Sequence, residues 1–295
     1  HNQLKTLKPG KYHAVVDSDL KPGVLNYAEL ILPGKSEKEI LLSTYVCHPS
    51  MANNELSGPV VTTALAQYLM AKKDRRYTYR IIFVPETIGA VVYLSKNLEA
   101  MKRNTVAGYV VTCCGDDRAY SYLESRLGNT RADHTARQVL KRMHPEYVTY
   151  PFIDCGSDER QYCSPRIDLP AASVMRTRYG IYPEYHTSLD DLSLVTPAGL
   201  EGAYDVMCNI LDALENSRVY RLTNFAEPQL GKRGLYPALS TKSSVLEVQN
   251  MINLMNYADG NHDLVAIAER IGADINECAQ IAEKLHKAGL LEVVD

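Results

Sequence analysis

Four short segments of this 295-residue chain hold the side chains that could do chemistry. The apolar run Leu41-Leu42-Ser43-Thr44-Tyr45-Val46-Cys47 ends at His48, and six residues later Asn54-Glu55-Leu56-Ser57-Gly58 opens a helix. A residue at the carboxyl end of a central strand overhangs the crevice where open α/β sheets bind ligands, so His48 is placed to present a metal or a catalytic group. Glu86 lies just past a second apolar strand and before Gly89. A carboxylate there can stay partly desolvated and take a proton from a metal-activated water. The loop Pro183-Glu184-Tyr185-His186-Thr187-Ser188-Leu189-Asp190-Asp191 carries a second histidine, and Asp190 could brace its ring, as ligating histidines usually require. The fourth segment, Asp154-Cys155-Gly156-Ser157-Asp158-Glu159-Arg160-Gln161-Tyr162, is densely polar, with little reason to be so charged if merely structural, although a run such as Asp158-Glu159-Arg160 is usually a solvated loop.

Taken singly, these residues also have plain structural readings. His48 could be a hydrogen-bonded strand-end histidine, Asn54 a helix N-cap and Glu86 a carboxylate favoured by a helix N-terminus. Their convergence is what would make a site. His13, His134, His144, His262 and His286 have no partnering motif and are assigned to surface or structure. Cys113-Cys114 ends an apolar strand and reads as inert packing.

The elements that must position these groups alternate. Gly10–Asp17 and Leu25–Leu32 read as an edge hairpin. Glu39–Val46, Tyr79–Val84, Val106–Thr112 and Ala171–Arg176 read as buried strands. Helical spacing covers Pro59–Ala71, Ala90–Leu98, Asp133–His144 and Pro197–Ser217. That order predicts an α/β fold, a mostly parallel mixed sheet flanked by helices. Residues 1–225 form this domain and 226–240 a linker. Residues 241–295 hold three helical patterns (Ser244–Met255, Asp263–Ile271, Asn276–Ala288) and a closing wing-like strand, a small C-terminal winged-helix domain.

A 45% hydrophobic content is ample for a large core, and a net charge of −3 draws the chain to neither nucleic acid nor anionic lipid. No apolar run approaches the ~20 residues needed to span a bilayer. The first residues lack the apolar stretch of a secretory signal, and without an initiator Met the chain reads as trimmed or a fragment. Seven cysteines with no paired zinc-ribbon spacing favour a reducing, cytoplasmic setting. From residue 241 onward, four Lys and Arg face nine Asp and Glu, a net of −5. The winged helix is therefore expected to contact protein, or a second copy, or to act as a lid, rather than to bind DNA.

His48, Asn54-Glu55-Leu56-Ser57-Gly58, Glu86, Ser157-Asp158 and Tyr185-His186-Thr187 with Asp190 together resemble the zinc-dependent aminopeptidase family that includes bacterial leucyl aminopeptidases and glutaminyl cyclases. With Cys47-His48-Pro49-Ser50, Pro85-Glu86-Thr87-Ile88-Gly89 and Gly156–Tyr162, the chain is more closely similar to bacterial polysaccharide-biosynthesis proteins with an aminopeptidase-like domain and a winged helix. Members of that group usually have a further amino-terminal region, which fits the expectation that this sequence is a fragment.

The resemblance implies a metal at His48 and His186 and a general-base role for Glu86. It also shows departures. The family's bridging Asp is Asn54, the second Glu of its acidic pair is Thr87, and its third-strand Asp falls near Thr112. Two adjacent dications without those anions would repel each other uncompensated. The expectation is one zinc ion, held by His48 and His186 with Asn54 or a nearby carboxylate, or else ligated by Glu86 itself. Asp158, Glu159, Arg160, Tyr162 and Tyr185 are expected to contact substrate, with Arg160 suiting a carboxylate and Asp158 or Glu159 an amino group. The implied activity is hydrolysis of an amide or peptide bond in a peptide or small substrate. The rivals are a non-peptidase amide hydrolase of polysaccharide biosynthesis and an inactive binding protein on the same fold.

Overall fold

The computed structural model describes residues 2–236 and 242–294. A short helix α1 (Asn2–Thr6) leads through an exposed extended segment to β1 (Ala28–Leu32) and β2 (Glu39–Tyr45). The chain continues through α2 (Ser57–Ala71), β3 (Thr78–Val84), α3 (Ile88–Asn104), β4 (Thr105–Val110), β5 (Ser121–Leu123), α4 (Arg131–Met143), β6 (Val148–Tyr150), α5 (Glu159–Tyr162), β7 (Ala171–Met175) and α6 (Pro197–Asn216). The seven strands form one sheet in the order β1-β3-β2-β4-β7-β5-β6. Its centre, β3-β2-β4-β7, is parallel; β1 and β5 run antiparallel to their inner neighbours. All seven residues of β2 are buried, as both covered faces of a parallel sheet require.

The expected amino-terminal hairpin is not formed. Residues 10–17 are exposed and make no strand, and β1 instead pairs antiparallel with β3, Leu30 opposite Ile81. Alternation alone does not make a strand: β1 is the edge of the sheet, and residues 10–17 do not extend it. The short strands β5 and β6 carry too few residues for a periodic signal.

Helix α2 packs closely on the sheet. A Cβ at Gly58 would lie 2.4 Å from the Val111 carbonyl oxygen and 2.8 Å from Thr44 Oγ1, so only glycine permits this approach.

The C-terminal unit holds β8 (Val219–Leu222), α7 (Lys242–Tyr257), β9 (Asp259–Asp263), α8 (Leu264–Ile271), α9 (Ile275–Lys287) and β10 (Leu291–Val293). A three-stranded antiparallel sheet, β10-β8-β9, supports the helices. β8 lies on the amino-terminal side of residue 225 yet is hydrogen-bonded wholly into this unit, with Tyr220 opposite Val293. Most of the linker region, up to Tyr236, is described; residues 237–240 lie outside the described residues.

The two units share one hydrophobic cluster, in which Val139, Leu140 and Leu211 join Ile267, Ala268 and Ile281. Ion pairs rim it: Arg137 Nε to Glu269 Oε1 at 2.6 Å, Arg131 Nε to Asp263 Oδ2 at 2.5 Å, and His134 Nδ1 to Glu269. Among the described residues no helix is long and apolar enough to cross a membrane.

The Glu269 carboxylate raises the pKa of His134, and the hydrogen bonds from His134 and Arg137 outweigh burial to bring Glu269 down to about 2. A raised histidine pKa stabilises the fold fully below its unfolded value, ~6.5, and the effect is lost as pH rises through the folded value. The lowered Glu269 pKa contributes above ~4.5 and is lost on acidification towards 2. The junction should therefore be firmest between about pH 5 and 6.5. Thermal melts across pH 5–8 should show a stability loss above pH 6.5 that His134→Gln removes; an unchanged pH profile in that variant contradicts this assignment.

Candidate active site

β2 delivers Cys47 and His48 past its carboxyl end, and β3 delivers Glu86 beside them. Between β2 and α2 the backbone makes one widened π-helical turn, Ala52–Leu56, in which Ser57 N–H reaches back to the Ala52 carbonyl. Such turns rotate side chains out of ordinary α register and recur at functional sites. Here the turn buries Asn53, Asn54 and Glu55 in succession. Asn53 Oδ1 accepts from Gly115 N–H at 2.7 Å, and Asn54 Nδ2 donates to the Tyr45 hydroxyl at 3.1 Å. Glu55, only 2% exposed, points back at the strand end.

The Glu55 carboxylate is the centre of the cluster. Its Oε1 lies 2.6 Å from His48 Nδ1 and accepts from the Cys47 thiol at 3.3 Å, while Oε2 accepts from Cys47 N–H at 2.8 Å. The sulfur is 3.1 Å from His48 Nδ1 and 3.6 Å from Glu86 Oε2. Glu86 Oε1 accepts from the Ser157 hydroxyl at 2.5 Å. His186 arrives from the far loop, its ring centroid 4.8 Å from that of His48, and Tyr185 stacks on it at 3.9 Å. Two imidazoles from opposite halves of the domain therefore share one place.

Backbone strain concentrates at this spot. Thr87 (φ 60°), Cys113 (φ 48°) and His186 (φ 55°) occupy the left-handed region although none is glycine. For a β-branched residue such as Thr87 that conformation is costly and persists only when the surroundings impose it. Asp158 Oδ1, accepting from Thr87 N–H at 2.6 Å, is one such constraint.

Cys47, His48 and Glu55 offer donor atoms all within 4.8 Å of one another, and the Asn54 Oδ1 atom is buried without a partner among the described residues. Sulfur, imidazole and carboxylate donors suit zinc. Burial, then the adjacent Glu55 and Glu86, hold the Cys47 thiol well above its ordinary pKa. A bound dication would reverse that balance. The donor set fits one zinc ion.

Several expected roles are corrected. Asp190 does not brace His186: its carboxylate accepts from Asn53 N–H at 2.6 Å, Asn54 N–H at 3.1 Å and the Tyr182 hydroxyl at 3.2 Å. It caps the π turn, since unpaired amides at a helix start are the strongest local demand on a nearby acid. Tyr162 is fully buried, its hydroxyl 2.8 Å from Ser43 Oγ, so it is core rather than substrate contact. Glu159 is also fully buried; it accepts from the Ser173 hydroxyl at 2.5 Å, and burial raises its pKa. The polar run folds as α5, and one turn of helix sends Asp158, Glu159 and Tyr162 inward and Arg160 outward. Arg160 is exposed and lines a surface hollow with Phe152, Ile153 and Cys155. Asp158 is buried too, with burial pushing it up to about 8 and its Oδ2 left without a partner among the described residues. Tyr185, pushed up to about 12 by burial, remains a neutral hydroxyl against His186.

Glu55 and Cys47 were not singled out from sequence. The signal was present in the chain: the acid absent at position 54 stands one residue later, and only the π turn shows that it faces the histidine.

Residues 10–217 match the family described as a domain of unknown function, DUF4910, and residues 218–293 match a winged helix-turn-helix family. The chain belongs to the DUF4910 family, on an aminopeptidase-like fold with a C-terminal winged helix. It is 38% identical, over 99% of its length, to a Clostridium acetobutylicum protein named for polysaccharide biosynthesis and an aminopeptidase-like domain, covering 67% of that protein. A crystal structure from the same organism, whose name calls it a peptidase, aligns over 91% of this chain with TM-score 0.80 and 37% identity. This chain spans 60% of that one. A zinc aminopeptidase of Bacillus subtilis (TM-score 0.54, 15% identity, 63% of this chain and 49% of that one) shares the fold. So does a Porphyromonas gingivalis glutaminyl cyclase (TM-score 0.54, 16% identity, 64% of this chain and 77% of that one).

If Tyr162 is core, Tyr162→Phe should cost about 0.5–1.5 kcal/mol in urea unfolding, the usual net worth of one hydrogen bond, without changing zinc affinity. A zinc-affinity change with unaltered stability would instead place Tyr162 in the site.

Proposed function

We propose that the protein is a zinc-dependent amide hydrolase of aminopeptidase type. The observation that carries this reading is the convergence of His48, Glu55, Glu86 and His186 above the carboxyl ends of parallel strands. His48, Glu55 and His186 would hold a single zinc ion, with Cys47 and the unpartnered Asn54 oxygen as further donors. Bound there, zinc would supply a Lewis acid that polarises the scissile carbonyl and lowers the pKa of an attacking water.

The remaining chemistry belongs to the chain. Glu86 is the general base. Its Oε1 is oriented by the Ser157 hydroxyl, which leaves Oε2, beside the Cys47 thiol, to take the proton and return it to the leaving amine. The strained turn at Thr87, anchored on Asp158, fixes that carboxylate against the end of β3. Tyr185, stacked on His186, walls the cleft and offers a neutral hydroxyl to substrate.

A second reading, an amide hydrolase acting on amino sugars, is favoured by the name of the Clostridium relative. Turnover of N-acetylated sugars but not of aminoacyl anilides would select it.

Glu86→Gln should retain zinc while losing about 10²–10⁴-fold in turnover, the usual general-base contribution. Glu55→Gln should lose zinc in elemental analysis after dialysis. Full activity in Glu86→Gln, or full zinc content in Glu55→Gln, contradicts these roles.

A further inference from the structure

At the opposite end of the sheet the amino ends of the parallel strands open onto a second cavity, of about 450 Å³. Its cations come from four places in the fold. Lys35 and Lys38 lie before β2, Arg76 before β3, Arg131 at the start of α4 and Arg218 at the entry to β8. No Asp or Glu is among its described lining residues. β2 alone spans seven residues, so this cavity lies roughly 20 Å from His48 at ~3.3 Å per residue.

Four of the five cations are tied in place. Lys35 pairs with Asp74 at 3.2 Å, and Lys38 Nζ donates to the Arg103 carbonyl at 3.0 Å. Arg131 holds Asp263 and donates to the Tyr77 hydroxyl at 2.5 Å. Arg76 lies over the Tyr77 ring at 4.7 Å and donates to the Ser217 carbonyl. Arg218 is half-buried, and among the described residues its guanidinium has neither an ion-pair nor a hydrogen-bond partner. Burial, opposed by Tyr77 and Glu215 and reinforced by Arg218 and Arg131, lowers the pKa of Arg76. Guanidinium groups gathered in a concave, partly desolvated space are the ordinary apparatus for a multiply charged oxyanion, which they bind through paired charge-assisted hydrogen bonds.

We propose that this cavity, at the junction of the two units, binds a small molecule through a phosphate or diphosphate group, with Arg218 as its principal contact. The volume suits a small ligand. A nucleic-acid backbone is disfavoured, because the adjoining winged helix carries the net −5 noted above and would repel it. Arg218 enters β8 while Lys35, Lys38, Arg76 and Arg131 belong to the larger unit, so the ligand would bridge the two and report on their docking without touching the hydrolytic site.

Isothermal titration calorimetry of the whole chain with inorganic pyrophosphate, at ionic strength matched with chloride, tests this. Binding is expected in wild type, tighter than for inorganic phosphate. Arg218→Ala should weaken it about tenfold or more, the scale of one charged hydrogen bond. Lys38→Ala, at an exposed position, should weaken it without altering the melting temperature. Absence of pyrophosphate binding overturns the proposal, as does equal affinity in both variants, which would place the anion elsewhere, including at the zinc site. Arg218-dependent binding of a 20-base-pair duplex in preference to pyrophosphate would overturn it in favour of nucleic acid.

Discussion

A carboxylate that is 2% exposed and lies 2.6 Å from an imidazole is the constraint on which the site depends. Burying the Glu55 anion is costly unless positive charge compensates it. The surrounding groups are His48, the Cys47 amide and thiol, and, beyond the sulfur, another acid, Glu86. That environment supplies donor atoms in excess of counter-charge. On the proposed reading, a single dication held among Cys47, His48 and Glu55, with His186 beside them, would compensate that charge. The proposed single ion rests on the family resemblance, which puts Asn54, Thr87 and Thr112 where a second ion would need anions; Thr112 Oγ1 is committed to the Tyr45 hydroxyl at 2.6 Å.

Holding Glu55 there requires distant parts of the fold. The π turn that aims it is capped by Asp190, more than 130 residues later, and the loop bearing Asp190 also carries His186. One acid thus ties the His186 loop to the start of α2, which Gly58 allows to sit directly on the sheet. The strained backbone at Thr87, Cys113 and His186 surrounds this junction. A network of buried hydrogen bonds (Asn53 to Gly115, Asn54 to Tyr45, Thr112 to Asn54) holds these parts in register. Preorganisation of this kind lets a site act without rearranging.

Much of this was legible in the chain. The central strands were readable because burial on both faces leaves continuous apolar runs, as in Ile40–Leu42 and Ile81–Val84. His48 and Glu86 could be anticipated from their place at strand ends, and His186 beside them from the family resemblance of its loop. The orientation of individual side chains could not. Whether Asp190 faces His186 or the amides of Asn53 and Asn54 depends on a turn that no local periodicity encodes. The polar run at 158–162 misled for a related reason. Hydrophilicity suggests solvent, but Asp158 and Glu159 are buried because Thr87 N–H and the Ser173 hydroxyl await them from other elements. The amino-terminal hairpin did not form although β1 is an edge strand with an open side, so alternation at 10–17 is not enough by itself to specify a strand.

The most direct test of the central claim is diffraction at the zinc absorption edge from crystals of the zinc-loaded protein. The account predicts one anomalous peak per chain, within coordination distance of His48, Glu55 and His186. A pair of peaks, or a single peak that leaves Glu55 outside the ligand sphere, would contradict it.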